Sequence, residues 1–236
     1  MKNVHLILSG NNTSKLDESI RISRKMYSID RLIVVVPEHQ TSRFKDKIRD
    51  IEQKWKDVDL KEVSLDGIEL CSLDLCDIIY EILIGDNKNE DVIINISNSD
   101  PTSALAGFFC ASILKTKIIS VINGEPENIS RVPYEELIPI RYAILSKIPE
   151  IGIGNQELLM KTVNEAFKDG SYPEIGLKHL TPTNLSHHLK YLDKKEYIIR
   201  VTSGRKKEIV LTTLGRLMKI SYEILKLKKQ KKAKSQ

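Results

Sequence analysis

The fold of the second half of the chain is decided by one stretch, Leu180-Thr-Pro-Thr-Asn-Leu-Ser-His-His-Leu-Lys-Tyr-Leu-Asp-Lys-Lys-Glu-Tyr-Ile-Ile-Arg200. Thr181 is placed to cap a helix, and Pro182 suits the first helical turn, where a missing N–H costs nothing. The leucines at positions 185, 189 and 192 then fall on one face of that helix. The stretch therefore predicts a capped amphipathic helix over residues 181–193 that is anchored in a core.

The opposite face of this helix carries side chains that suit the major groove of DNA. Asparagine can pair bidentately with adenine, and hydroxyl, imidazole and ammonium groups bond base edges or phosphates. The side chains predicted to meet DNA from this helix are Thr181, Thr183, Asn184, Ser186, His187, Lys190 and Tyr191. The adjacent residues His187 and His188 point in different directions on a helix, so no metal site is predicted there.

A basic hairpin is predicted directly after the helix. Residues 197–202 and 208–212 have strand patterns, and they flank a polar loop over residues 203–207. The side chains predicted to contact DNA from this hairpin are Arg200, Ser203, Arg205, Lys206 and Lys207.

Helix and hairpin together resemble the winged-helix regulators of the bacterial and archaeal repressor type. Their pattern SxxSHHLxxLxxxGxIxR, followed by LTxxGR, is matched from Thr183 to Arg216, with Lys195-Glu196 in place of the usual Lys/Gly turn. The resemblance implies a winged helix-turn-helix domain that binds double-stranded DNA. Such regulators gain affinity from two-fold symmetry, so we also expect a homodimer.

Two assignments remain open for the preceding helix. Residues 155–167 are either the second helix of the motif, with a long loop to Thr181, or the first helix. In the latter case residues 173–179 would form a short second helix.

Charge is distributed unevenly along the chain. Residues 1–133 carry 17 Lys/Arg against 21 Asp/Glu, a net charge of −4, whereas residues 134–236 carry 20 against 11, a net of +9. A local basic excess is what a module that neutralises phosphates requires. The three cysteines lack the paired spacing of a disulfide framework or a zinc site, and they are interpreted as small core residues.

The first half alternates apolar strand patterns with helical ones, giving five predicted strands and four helices. This order predicts an α/β class domain, a Rossmann-like, doubly wound, mainly parallel sheet, ahead of an α+β winged-helix domain. The predicted boundaries are residues 1–123 for the first domain, 124–133 for a linker and 134–236 for the second domain, with its basic C-terminal helix.

A ligand site is expected where the strand order of such a sheet reverses. Two polar turns that open helices are placed to meet there, and helix N-termini suit phosphates and other acceptors. The predicted ligand-binding residues are Ser9, Gly10, Asn11, Asn12 and Thr13 in the first turn and Asn95, Ser97, Asn98, Ser99 and Thr102 in the second.

The order of these parts resembles the archaeal regulators with a CRISPR-associated Rossmann fold (CARF), which serve antiviral defence. That family's second loop runs Asp/Asn-x-Ser/Thr-x-Gly followed by a basic residue. Asn95 and Ser97 match, whereas Ser99 stands at the glycine position and Pro101 near the basic one. The resemblance implies a symmetric dimer that binds a cyclic oligoadenylate effector across its two-fold axis, with no further cofactor.

Three rival functions were weighed. An attached ribonuclease of the CARF type would need an Arg-x(4–6)-His motif, and none of the five histidines has one. Slow cleavage of a cyclic nucleotide by the first domain, and a constitutive DNA-binding dimer with a degenerate sensor, both remain open. We expect no catalytic residues, no membrane segment and a cytoplasmic protein.

Overall fold

The chain of this computed structural model divides into two compact units, Met1–Tyr134 with Glu223–Gln236 and Glu135–Tyr222. The structure describes residues 2–10, 15–55, 57–84, 90–131, 137–203 and 206–234. The last part of the C-terminal helix, which the sequence assigned to the second domain, therefore groups with the first unit. Lys228 is tied there, since its ammonium donates to the Leu114 carbonyl (3.0 Å) and to Thr116 Oγ1 (2.6 Å).

Apolar and β-branched runs form the sheet of the first unit, and the described strands follow one another in a doubly wound order. They are β1 (Lys2–Ser9), β2 (Arg31–Pro37), β3 (Val58–Val63), β4 (Glu90–Asn98), β5 (Lys117–Ile122) and β6 (Glu125–Asn128). Their order is β3-β2-β1-β4-β5-β6, with β1 to β5 parallel and β6 antiparallel to β5. The predicted mainly parallel sheet is confirmed, and its order reverses between β1 and β4.

Within the described ranges, four helices flank this sheet: α1 (Leu16–Ser23), α2 (Thr41–Glu52), α3 (Ile68–Ile84) and α4 (Pro101–Leu114). Because helices cover parallel strands on both faces, β1, β2 and β4 read as nearly continuous buried runs. Phe44 of α2 and Leu16 of α1 pack into one buried cluster with Val34 of β2.

The three cysteines are buried, in agreement with their interpretation as small core residues. Cys76 of α3 and Cys110 of α4 place their Sγ atoms 3.6 Å apart. Burial raises the pKa of the Cys71 thiol to about 12, so this group stays protonated and unreactive at neutral pH.

The segment predicted to be a linker contains strand β6. Asn123 and Gly124 both have positive φ angles, 53° and 81°, and they turn the chain so that Ile122 faces Glu125. Two left-handed residues in a two-residue loop are typical of a type I′ hairpin, for which Asn-Gly is the preferred sequence. Residues 125–128 are thus an edge strand rather than a linker.

The second unit contains three helices, a 3-10 turn, a two-stranded sheet and the beginning of a long helix. These elements are α5 (Pro139–Ser146), α6 (Gln156–Lys168), the 3-10 turn (Pro173–Ile175), α7 (Pro182–Lys194), β7 (Ile198–Ser203), β8 (Lys206–Leu211) and α8 (Thr213–Lys234). Side chains cap three of these helices: Asn155 accepts from Leu158 N–H, Thr181 from Asn184 N–H and Thr212 from Gly215 N–H.

Long-range contacts fix the start of α7 and the sheet of this unit. The side chain of Asn164 on α6 bonds both the N–H and the carbonyl of Leu180 (2.6 and 3.2 Å). Ile153, ahead of α6, exchanges two main-chain hydrogen bonds with Ile209 of β8 (2.9 and 3.0 Å). None of the helices in the described ranges combines the length and the apolar character that crossing a membrane requires.

Candidate functional site

The two predicted turns of the first unit lie side by side at the carboxyl ends of β1 and β4. The N–H of Gly10 donates to the carbonyl of Asn98 at 2.6 Å. A Cβ atom at Gly10 would lie only 2.8 Å from the main-chain nitrogen of Asp100, so the close approach of the turns requires glycine there. The strand order reverses at this point, which is where α/β sheets of this kind bind ligands.

Two of the predicted ligand-binding side chains are turned into the protein. Asn95 is fully buried: its Nδ2 donates to Ser23 Oγ (2.6 Å), and its Oδ1 accepts from the N–H of Ser97 (2.9 Å) and from Ser97 Oγ. Ser97 Oγ in turn accepts from the N–H of Val121 at 2.8 Å. These bonds tie β4 to α1 and β5, so Asn95 and Ser97 shape the turn from within.

The other described residues predicted to bind a ligand differ in their exposure. Ser9 is buried and accepts from Asn98 Nδ2 (3.3 Å), while Ser99 Oγ donates to the Ile96 carbonyl (2.7 Å). Asn98 and Thr102 are partly exposed. Asn11, Asn12 and Thr13 lie outside the described residues.

The described side chains of these turns are mostly neutral hydrogen-bonding groups. Among their described side chains, Asp100 is the one carboxylate, and it caps α4 by accepting from the N–H (3.0 Å) and Oγ (2.6 Å) of Ser103. The remaining side chains offer amides and hydroxyls, which donate and accept hydrogen bonds without titrating near neutral pH. Within the described ranges, no group of three or more His, Cys, Asp or Glu side chains converges as a metal site.

A second candidate site is the polar face of α7. Leu185, Leu189 and Leu192 are buried, as their spacing predicts. The opposite side exposes several predicted DNA contacts along one stripe, and Ser186 beside them is partly exposed. The exposed residues of α7 and its cap are Thr181, Thr183, Asn184, His187, Lys190 and Lys194.

Tyr191, another predicted DNA contact, packs against a cation of the same unit. The guanidinium of Arg141 on α5 lies 3.4 Å from the centroid of the Tyr191 ring, which is half-buried. His188 lies beside this pair; its burial, together with the charges of Arg141 and His187, lowers its pKa. Arg141 thus joins α5 to α7, a contact that sequence reasoning did not find.

The predicted hairpin contacts are described in part. Arg200 pairs with Asp193 (Nε to Oδ2, 3.3 Å), which fixes it beside the end of α7. Ser203 of β7 lies opposite Lys206 of β8, and Lys207 lies opposite Thr202. Arg205 lies outside the described residues.

Comparisons with known proteins find distant similarity. No protein-family model matches the chain. It is 22% identical over 213 residues to an uncharacterised protein of Archaeoglobus fulgidus. The aligned region covers 90% of this chain and 95% of that protein.

Among solved structures, the chain is similar to Can2 from Sulfobacillus thermosulfidooxidans in complex with cyclic tetra-adenylate (TM-score 0.38, 14% identity, 94% of this chain covered). It is also similar to Enterococcus italicus Csm6 bound to cyclic hexa-2'-fluoro-hexa-dAMP (TM-score 0.40, 14% identity, 84% covered). This chain spans 64% of the Can2 structure and 55% of the Csm6 structure.

Proposed function

We propose that this protein is a DNA-binding regulator whose second unit is a winged helix-turn-helix and whose first unit is a CARF-type ligand sensor. The observation that carries the proposal is the exposed polar stripe of α7, held on a buried leucine face and followed by the β7–β8 hairpin. A helix presented in this way can enter a major groove while the hairpin reaches the backbone.

The order of elements in the second unit supports the winged-helix assignment. Helices α5, α6 and α7 precede the hairpin, and the Ile153–Ile209 bridge adds a third, minimal strand beside β8. The segment between α6 and α7 contains only a single 3-10 turn, Pro173–Ile175. This arrangement favours the assignment in which α6 is the second helix of the motif and a long loop leads to Thr181.

The DNA-reading role of α7 is testable by sequence preference. Asn184→Ala and His187→Ala are expected to relax the preference at one base position each, because a good base contact contributes about 1–3 kcal/mol of discrimination. The measurement is selection of bound duplexes from a randomised pool, with the natural protein and each variant side by side.

The control for this experiment is a substitution on α6. Lys190→Ala on the exposed stripe is expected to weaken duplex binding, whereas Lys168→Ala, the same charge change on the exposed last turn of α6, is expected to leave it unchanged. Equal effects of the two lysine substitutions, with the selected sequences unaltered in both α7 variants, would rule out α7 as the DNA-reading element.

The sensor half of the proposal rests on the β1–β4 turns. They meet where the strand order reverses, and the N-terminus of α4 opens beside them, which favours a ligand rich in hydrogen-bond acceptors. Together with the CARF resemblance of the sequence, this supports a cyclic oligoadenylate or a related nucleotide as effector. A two-fold dimer of this unit would bring two copies of the turns to one ligand and let it bias the spacing of the α7 helices.

Ligand binding is expected to stabilise the protein against heat. A ligand present at 100 times its Kd adds about 2.7 kcal/mol to the free energy of unfolding. The measurement is thermal melting with cyclic tetra-adenylate, cyclic hexa-adenylate and linear nucleotides. Thr102→Val, in the first turn of α4, is expected to reduce the ligand-induced shift in Tm. Thr162→Val on α6, the same substitution in the other unit, is expected to leave that shift unchanged.

Two outcomes would redirect the proposal. If no nucleotide shifts Tm or changes DNA affinity, the first unit is a scaffold and the protein is a constitutive DNA-binding dimer. If the ligand is consumed during the titration, the first unit is an enzyme that cleaves it. A monomer at micromolar concentration would contradict the dimer.

A further inference from the structure

A groove of about 600 Å³ lies at the other end of the sheet from the β1–β4 turns. It opens where α4 ends and β5 begins, and where the chain leaves β6 in the antiparallel direction. Its lining residues are Tyr27, Lys115, Thr116, Lys117, Ile118, Asn128, Ile129, Ser130 and Arg131. Three of these are cations and none is acidic, in a unit whose first 133 residues carry a net charge of −4.

The end of α8 adds positive charge at the same place. Lys228 bonds Thr116 Oγ1 at 2.6 Å, and Thr116 lines the groove. The hydrogen bonds from Lys228 to this hydroxyl and to the Leu114 carbonyl hold the last part of α8 against the end of α4. The sequence from residue 223 onward contains six lysines and one glutamate, so this end of the chain is strongly basic.

We propose that this groove, bounded by Lys115, Lys117, Arg131 and Lys228, is a docking surface for the phosphate backbone of double-stranded DNA. The inference rests on the proposed DNA-binding function and extends it, because it assigns part of the phosphate contact to the first unit. It also gives Lys228 of α8 a role, since its ammonium lies beside Thr116 of the groove.

The nature of the lining favours a phosphate backbone over a small ligand. Small-molecule pockets are mostly apolar with a few convergent polar groups, whereas Lys115, Lys117 and Arg131 are exposed cations spread along an open groove. Lys117 lies 4.8 Å above one face of the Tyr27 ring and pairs with Asp91 (3.0 Å), so that face is not offered for base stacking. Tyr27 is the one aromatic residue among the described residues that line the groove. A surface with cations and few aromatic rings suits sequence-independent binding of a duplex.

The test compares two double variants of the full chain with equal charge changes. Lys115→Gln with Arg131→Gln removes two cations from the groove, and Arg43→Gln with Lys45→Gln removes two exposed cations from α2 in the same unit. Binding of a mixed-sequence duplex is measured by fluorescence anisotropy from 50 to 200 mM salt. Log K falls as log salt rises, and each lost phosphate contact makes this slope less steep by about 0.9. The slope of the groove variant is therefore expected to be less steep than that of the natural protein by about 1.8, and the slope of the α2 variant is expected to be unchanged.

The outcomes separate this inference from the proposed function. If both double variants keep the natural slope while Lys190→Ala weakens binding, the groove does not meet DNA and the role of α7 stands. If the natural protein does not bind duplex DNA, both proposals fail together. A slope change seen with RNA of the same length and absent with duplex DNA would assign the groove to RNA and overturn the inference.

Discussion

Replacing Gly215 with alanine is expected to lower the free energy of unfolding of the second unit by about 3 kcal/mol. Gly215 lies in the first turn of α8, and a Cβ atom there would lie 1.9 Å from the carbonyl oxygen of Tyr197 and 2.9 Å from its carbon. These are main-chain atoms, so no side-chain rotation relieves the overlap. Either the start of α8 or the start of β7 would have to move.

Neither segment is free to move without losing hydrogen bonds. The Tyr197 carbonyl accepts from the N–H of Thr212 (3.1 Å), and Thr212 Oγ1 accepts from the N–H of Gly215 (3.0 Å) and donates to the Glu196 carbonyl (2.6 Å). The overlap would therefore break the junction that holds the β7–β8 hairpin to α8. Because the hairpin is the proposed wing, DNA affinity is expected to fall together with stability.

The matched control is Gly154→Ala in the same unit. A Cβ atom at Gly154 meets nothing within 4 Å, so this substitution is expected to change stability by no more than about 0.5 kcal/mol. Urea unfolding followed by far-ultraviolet circular dichroism measures both variants. Equal midpoints for Gly215→Ala and Gly154→Ala would show that the junction tolerates a side chain and that its close packing is unimportant.

Most of the sheet was predictable because β1, β2 and β4 are nearly continuous apolar runs separated by helical patterns, a signal that depends on neighbouring residues alone. The hairpin at Asn123-Gly124 was missed although Asn-Gly is a strong turn signal. Its second strand, Glu-Pro-Glu-Asn, lies at the sheet edge and is largely exposed, so it lacks the apolar alternation by which strands are recognised.

The residue types of the candidate ligand site were predictable, but the directions of their side chains were not. Both faces of β4 are covered, so the sequence cannot tell whether Asn95 points into the protein or toward a ligand. Its partner Ser23 lies 72 residues away on α1. The stacking of Arg141 on Tyr191 likewise joins two helices whose packing no local pattern encodes.

The division of α8 between the two units likewise could not be predicted from local sequence. Chain order assigned the whole helix to the second domain, yet Lys228 bonds the end of α4, which lies 114 residues earlier. The local sequence predicts a basic helix end whichever unit that end packs against. The contact of Lys228 with the Leu114 carbonyl, which supports the proposed role in phosphate binding, is visible only in the folded structure.

The free energy of unfolding is expected to fall as the pH drops from about 6.5 to 4, and His5 accounts for a loss of up to about 3 kcal/mol. His5 is fully buried in the central strand β1, between Leu32 of β2 and Ile93 of β4. Its pKa is lowered from 6.5 to about 4. Burial is the main cause and the charge of Lys117 adds to it, against the opposing effects of Ser28 and Asp30.

The direction of this effect follows from which state binds the proton. Between pH 6.5 and 4 the unfolded chain protonates His5 while the folded chain keeps it neutral, so acid favours unfolding. Above pH 6.5 both states are neutral at this residue and its contribution is complete. His188, whose pKa is also lowered, acts in the same direction, and its contribution remains when only His5 is changed.

Comparison of His5→Leu with the natural protein isolates the contribution of His5. Urea unfolding at intervals from pH 8 to 4 is expected to show a shallower decline for His5→Leu, because leucine fills the buried position without a titrating group. His179→Leu, which changes an exposed histidine ahead of α7, is expected to decline as steeply as the natural protein. If His5→Leu lost stability with pH as steeply as the natural protein, His5 would have to be protonated in the folded sheet, and the solvent-excluded environment described for β1 would be wrong at that position.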